Sequence, residues 1–153
     1  TPTTSSAASD VYKRQLNTQA LLAMSSDMSV KEICSLPRGC HNAMPFADGV
    51  IFNDTAADTV RFVSRYAADV QISVPLFPPD ELDFMGVDDS KVARQGFGRG
   101  LCILDDGLVA AGSSPSTISI IDIVKGERLT AVNLTMDIRN AIHGLERWPA
   151  EWS

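Results

Sequence analysis

Cysteine is scarce in this sequence. The 153 residues include only Cys34, Cys40 and Cys102, and no two of them have the C-x-x-C spacing. An odd and widely spaced set predicts neither a disulfide framework nor a zinc knuckle. Such a set is typical of proteins in a reducing compartment, so the composition favours the cytoplasm.

Long apolar runs and clusters of positive charge are also missing. No run of about 18 apolar residues occurs, which argues against a membrane-spanning helix within this chain. Lys and Arg never form more than a pair, and 19 acidic residues against 13 basic ones give a formal net charge of −6. Nucleic acid and anionic membrane surfaces are therefore poor partners for the chain.

Two common catalytic signatures are absent as well. Ser113 and Ser114 lie outside any G-x-S-x-G elbow, so serine hydrolase chemistry has no support. The glycine-rich residues 96–100 resemble a phosphate-binding loop, but the apolar residues 101–104 after them predict a strand, whereas a phosphate-binding loop requires a following helix. We interpret these glycines as positions where two backbones approach closely at the start of a strand.

The N-terminal residues have an unusual origin. Residues 5–15 have the sequence SSAASDVYKRQ, which back-translates to a transposase library adapter read in frame. We therefore expect residues 1–15 to be a non-native, disordered tail, and we exclude them when predicting the fold.

An internal repeat occurs at an offset of 58 residues. Residues 48–52 align with 106–110, and residues 59–63 align with 117–121. Each copy predicts an apolar strand, an Asp-Gly turn, a second apolar strand, a polar turn and an alternating strand. Asp-Gly suits a tight hairpin because glycine accepts positive φ, and the β-branched residues around it favour a pleated surface.

A fourth strand is predicted after each copy, at 69–76 and 129–134, and residues 30–36 are predicted as the outer strand of a preceding unit. Four antiparallel strands about every 45 residues are typical of β-propeller blades. We therefore predict an all-β fold with about two whole blades plus fragments, in which residues 16–153 are a C-terminal fragment of a propeller domain. Residues 77–98 are predicted to be an inserted surface loop.

These residues resemble blades of the NHL-like and YVTN-like β-propeller superfamily. The likeness lies in residues 48–55 followed by 59–62, where NHL blades tend to carry an Asp-Thr turn and a β-branched strand; the second copy has Ser113-Ser114 in place of Asp-Thr. The resemblance covers residues 30–149 and implies a propeller. The superfamily includes lactone hydrolases, lyases, cyclotransferases and protein-binding scaffolds, so the resemblance implies no single activity.

Three basic residues form the candidate site. His41, Arg99 and His143 each precede a small or polar residue and then an apolar one, at offsets of 58 and 44. Each lies at the predicted start of an inner strand, so the three would meet at one mouth of the channel. Histidine binds metals and moves protons, and a guanidinium clamps carboxylates or phosphates. The other interpretation is that they bond neighbouring carbonyls and fix the register between blades.

Oxygen ligands suggest a second kind of site. Asn53, Asp54 and Asp58 carry groups that suit calcium, but they lack the EF-hand spacing, so we interpret them as turn residues that accept local backbone hydrogen bonds. An acidic segment within the 77–98 loop is interpreted in the same way as a solvated surface. Its residues are Asp80, Glu81, Asp83, Asp88 and Asp89.

The sequence leaves the function open between two classes. The first is a propeller that binds a small anionic or sugar-like molecule through His41, Arg99 and His143, with a metal- or His-assisted hydrolase or lyase as its catalytic version. The alternative is a non-enzymatic scaffold in which the 77–98 loop contacts a protein partner. Neither a metal nor a cofactor is identified, and whether the chain is an enzyme stays undecided.

Overall fold

The structure is a computed structural model that describes residues 11–15, 19–86, 94–105 and 107–148. The chain divides into two compact units, Thr1–Arg38 and Gly39–Ser153. Within the described ranges there is no α-helix, and all regular structure except one short 3-10 helix is β-strand. None of the helical structure in these ranges is long or apolar enough to cross a membrane.

The first unit contains one three-stranded antiparallel sheet. Its strands, in spatial order, are β1 (Val11–Gln15), β2 (Ala20–Met24) and β3 (Val30–Ser35). The outer strand predicted at 30–36 is therefore confirmed as β3. Within residues 1–15, which the sequence predicts to be a disordered tail, Val11–Gln15 pair with β2 from Val11 opposite Met24 to Gln15 opposite Ala20. The hydrogen bonds between β-strands use only backbone N–H and C=O groups. The edge of β2 can therefore pair with a segment that is not part of the native protein.

The second unit contains two four-stranded antiparallel meanders. The first sheet consists of β4 (Cys40–Phe46), β5 (Gly49–Asp54), β6 (Thr59–Ser64) and β7 (Val70–Ser73). The second consists of β8 (Leu101–Asp105), β9 (Leu108–Ser113), β10 (Thr117–Asp122) and β11 (Glu127–Asn133). Each strand pairs with the next along the chain, as the repeat predicted. A 3-10 helix, Pro79–Glu81, lies in the connection between the sheets.

The core of this unit lies between the two sheets. Strands β5 and β9 are buried along nearly their whole length, whereas β11 is exposed at every residue except the last. Apolar side chains from both sheets form one cluster: Ile51, Val60, Phe62 and Ile72 from the first, and Leu101, Val109, Ala111, Ile121 and Ile123 at the second. Meanders stacked face to face with an exposed outermost strand are the arrangement of successive propeller blades. The predicted all-β fold of four-stranded antiparallel units is confirmed.

The hairpin that opens the second sheet has the predicted turn. Strand β8 ends at Asp105 and β9 begins at Leu108. Gly107, in the turn between them, has φ +90°. A residue with a side chain adopts this conformation only with strain, so this glycine serves the turn itself.

The hairpin that opens the first sheet differs from the prediction by one residue. Strand β4 ends at Phe46 and β5 begins at Gly49, so Ala47 and Asp48 form the turn, and Ala47 has φ +47°. The expectation that Asp48-Gly49 is the turn is therefore wrong in this copy. Gly49 is instead the first residue of β5, where a Cβ would be 2.0 Å from the carbonyl oxygen of Val63 on β6. The close approach of β6 requires the glycine.

Candidate functional site

The segment that leads into β8 is bonded to the neighbouring sheet. The side-chain amide of Asn53 donates to the carbonyl of Gly100 at 3.0 Å, and the hydroxyl of Thr55 donates to the carbonyl of Gly98 at 2.8 Å. The side-chain amide of Asn42 donates to the carbonyl of Arg99. Three polar side chains of the first sheet and its turn therefore fix the backbone of residues 98–100.

The glycines of this segment are sites of close approach. A Cβ on Gly98 would lie 3.0 Å from Oδ1 of Asn53, and one on Gly100 would lie 3.0 Å from the carbonyl oxygen of Ile142. A Cβ on Gly96 would lie 2.9 Å from the carboxyl carbon of Asp58. The prediction of close backbone approach is confirmed at Gly100, whereas the nearest atoms at Gly96 and Gly98 belong to side chains.

Phe97, between two of these glycines, is the centre of a cluster of basic side chains. Its side chain is buried. The ring centroids of His41 and Phe97 are 5.8 Å apart with an interplanar angle of 50°. The guanidinium carbons of Arg99 and Arg94 lie 4.5 Å and 5.7 Å from the ring centroid. Because the face of an aromatic ring attracts cations, Phe97 holds these charges together.

The two arginines differ in what neutralises them. Arg94 donates to the carboxylate of Asp58 at 2.6 Å and to the carbonyls of Gln95 and Thr55. In contrast, no carboxylate of the described residues forms an ion pair with Arg99. Its Nε is buried without a hydrogen-bond partner in the described part of the protein. Arg94 is therefore a structural cation, whereas Arg99 retains donors for an acceptor from outside.

His143 lies near this segment but does not begin a strand. The backbone N–H of Gly100 donates to the carbonyl of Ile142 at 2.7 Å, which places His143 next to a residue bonded beside Arg99. The His143 side chain is exposed. The prediction of a strand start is wrong here: within residues 141–148, backbone bonds to other segments involve Ile142 alone, which is not a ladder.

The structure thus brings two of the three predicted site residues together. His41 and Arg99 contact the same ring, and His143 follows Ile142, whose carbonyl accepts a hydrogen bond from Gly100. Phe97 and Arg94 were missed by sequence reasoning. The available signal was an aromatic residue between two glycines, with an arginine three residues before it and another two residues after it.

The carboxylates considered for calcium are held by arginines. Asp54 pairs with Arg61 at 3.3 Å and also accepts a hydrogen bond from the backbone N–H of Ala57 at 3.3 Å. Asp58 pairs with Arg94. Across residues 19–86, 94–105 and 107–148, no three His, Cys, Asp or Glu side chains form a group that could hold a metal ion. These contacts support the interpretation as turn residues.

The inserted loop is tied together at its two ends. The backbone N–H of Phe77 donates to Oε1 of Gln95 at 2.8 Å, and Nε2 of Gln95 donates to the carbonyl of Phe77 at 3.2 Å. Leu82 and Phe97 are both buried. Asp88 and Asp89 lie outside the described residues. A protein partner for this loop remains a prediction.

Comparison with known proteins adds little to this description. No protein-family model matches the chain, and no curated protein matches it. Among solved structures, the chain is similar to one titled "Streptogramin B lyase structure", with a TM-score of 0.42 and 11% sequence identity over 90% of this chain. The chain spans 55% of the length of that chain. The fold itself defines an all-β protein built from stacked four-stranded meanders.

Proposed function

We propose that the chain is part of an NHL-like or YVTN-like β-propeller that binds a small anionic or sugar-like molecule beside Phe97. Arg99 is the anchor and His41 the second contact, with His143 at the edge of the site. The observation that carries the proposal is the Arg99 guanidinium, which is stacked on Phe97 and forms no ion pair with a carboxylate of the described residues. Binding, rather than turnover, is the proposed function.

The energetic argument concerns the charge of Arg99, which no carboxylate of the described residues neutralises. Hydrogen bonds to charged groups contribute about 1.5–3 kcal/mol. A carboxylate or phosphate on the ligand would accept from the terminal nitrogens of the guanidinium and pair with its charge. Arg94 is a weaker anchor because it already forms an ion pair with Asp58. His41 adds a second polar group on the same ring.

The experiment uses the two histidines as reporters. His41 and His143 are the only histidines in the chain, so each proton spectrum contains two imidazole Cε1–H signals. Replacing each histidine with alanine assigns them. Titration with inorganic phosphate, acetate and glucose 6-phosphate is expected to shift the His41 signal saturably. Arg99→Gln is expected to weaken this binding about 10- to 100-fold, the loss of one charged hydrogen bond.

The control is an equal change of charge elsewhere. Arg65 is exposed in the turn after β6, and Arg65→Gln is expected to leave the titration unchanged. Arg99→Lys retains the charge without the forked donors and separates the two contributions. If Arg99→Gln lowers the melting temperature while anions shift His41 as before, then Arg99 only fixes the register between the sheets and the proposal is rejected. It is also rejected if no anion shifts His41 in the unmodified chain.

A further inference from the structure

A cavity lies at the end of the two sheets opposite Phe97. Its volume is about 700 Å³, within the range of small-molecule sites. It opens between the hairpin that joins β4 to β5 and the hairpin that joins β8 to β9, whereas Phe97 is near the opposite strand ends. We call it the hairpin cleft. Its walls include Phe46 and Phe62 from the first sheet, and Ile103 and Ile123 at the second.

The walls of the hairpin cleft are apolar and partly unfilled. Phe46 and Phe62 form an edge-to-face pair with centroids 5.5 Å apart, which gives the cleft an aromatic side. Across from them, Ile103 is 37% exposed and Val124 is 83% exposed. Covering this apolar surface would be favourable at about 25 cal/mol per Å². The body of a ligand that fits the cleft is therefore apolar.

The charge of the cleft has one sign. Among the described residues that line it, Asp48 and Asp105 are charged and none is Lys, Arg or His. The Asp48 carboxylate accepts a hydrogen bond from the hydroxyl of Ser64, which fixes its position in the turn. The whole chain also has a formal net charge of −6. An anionic ligand would be repelled here, and a cation would be attracted.

We propose that the hairpin cleft binds a small amphipathic cation. Its apolar or aromatic part lies between the phenylalanine pair and the isoleucines, and its ammonium group lies beside Asp48 and Asp105. The site is independent of the anion site at Phe97, because the two are at opposite ends of the strands and select opposite charges.

The test compares two probes that share an apolar body and differ in charge. These are 4-phenylbutylammonium and 5-phenylpentanoate, titrated into the full chain and followed by saturation-transfer NMR. The ammonium is expected to bind saturably, and the carboxylate at least about tenfold more weakly. Asp48→Asn retains an acceptor for Ser64 and removes the charge, so it is expected to weaken ammonium binding about two- to fivefold.

A steric variant tests the location. Ala67 and Ala68 are exposed residues that line the cleft. Ala67→Trp is expected to fill the opening of the cleft. The probe would then lose most of its apolar contact with the walls, and ammonium binding would weaken more than about tenfold. The matched control is Ala56→Trp, at an exposed alanine in the turn between β5 and β6, which is expected to have no effect. If Ala67→Trp fails to fold, Ala68→Trp replaces it.

Three results would each overturn the proposal. One is the absence of saturable ammonium binding to the unmodified chain. Another is equal affinity for the two probes, which would show apolar adsorption without charge selection. The third is an equal effect of Ala56→Trp and Ala67→Trp. Arg99→Gln is expected to leave ammonium binding unchanged, which keeps this test separate from that of the anion site.

Discussion

The guanidinium carbon of Arg99 lies 4.5 Å from the ring centroid of Phe97. The ring covers one face of the cation, and Nε on the same side chain is buried, with no acceptor among the described residues. The ring contact that positions the side chain uses none of its hydrogen bonds. The two terminal nitrogens of the guanidinium are therefore left as donors in a fixed direction, which is what forked recognition of an anion requires.

Phe97→Leu tests this role of the ring. The substitution retains an apolar side chain and removes the aromatic face, so we expect the free energy of unfolding to fall by about 1–3 kcal/mol. Urea denaturation with an unchanged m-value is the measurement. Phe84→Leu is the control, because the Arg139 guanidinium lies 3.5 Å from the Phe84 ring centroid but Phe84 is 50% exposed. Its expected loss is below about 1 kcal/mol. Equal losses would contradict the role given to Phe97.

Gly49→Ala tests the close approach of β6. The new Cβ would lie 2.0 Å from the Val63 carbonyl oxygen, and backbone cannot move aside as a side chain can. We expect a loss of about 1–3 kcal/mol, or more if the strand pair separates. Gly144→Ala is the control because, apart from its chain neighbours, no atom of the described residues lies within 4 Å of its Cβ position. Thermal melts compare the two variants, and a Gly49→Ala chain as stable as Gly144→Ala would show that the strands are farther apart than described.

Strand positions were predictable because they depend on local sequence. The predicted strands at 59–63 and 117–121 became Thr59–Ser64 and Thr117–Asp122. Alternation and β-branched residues specify such strands directly. The position of the first turn was not predictable from Asp48-Gly49. A glycine in the sequence can indicate either a residue with positive φ or a close backbone approach, and the sequence does not distinguish the two. The distance from Gly49 to Val63 is set by tertiary packing.

The candidate site was predictable only in part, for a related reason. His41 and Arg99 occupy matching positions of the repeat, so the offset of 58 was enough to place them together. The contacts of Phe97 join segments far apart in sequence, and no spacing encodes them. The surroundings of His143 depend on bonds from Ile142 to two separate segments, which the short motif did not contain.

Calcium is expected to leave the stability of the chain unchanged. The carboxylates of Asp54 and Asp58 are paired with Arg61 and Arg94, so binding calcium would require breaking both ion pairs. A site with a Kd of about 50 μM would add about 2.7 kcal/mol at about 5 mM calcium. Thermal melts after EDTA treatment, with and without calcium, measure the difference. A rise in the melting temperature that magnesium does not reproduce would restore the calcium interpretation.

Asp137 is expected to make stability depend on pH in the acid range. The Arg139 side chain donates to both of its carboxylate oxygens, at 2.9 Å and 2.7 Å. These bonds hold the pKa of Asp137 below its ordinary value of 3.8 and raise the pKa of Arg139. Because the pKa is lower in the folded chain than in the unfolded one, the stabilisation is complete above pH 3.8 and is lost as the pH falls through the lowered value.

The test compares the melting temperatures of the unmodified chain and of Asp137→Asn from neutral pH down to about pH 2.5. It shows whether the contribution of Asp137 to stability is lost as the pH falls. The difference between them is expected to be constant at neutral pH and to narrow in acid, where the native carboxyl also becomes neutral. Other carboxylates titrate in both chains and cancel in the difference. Arg139→Gln breaks the same ion pair, so the difference between its melting temperature and that of the unmodified chain is expected to narrow in the same pH range. A difference that stays constant into strong acid would show that the pair contributes nothing through its charge.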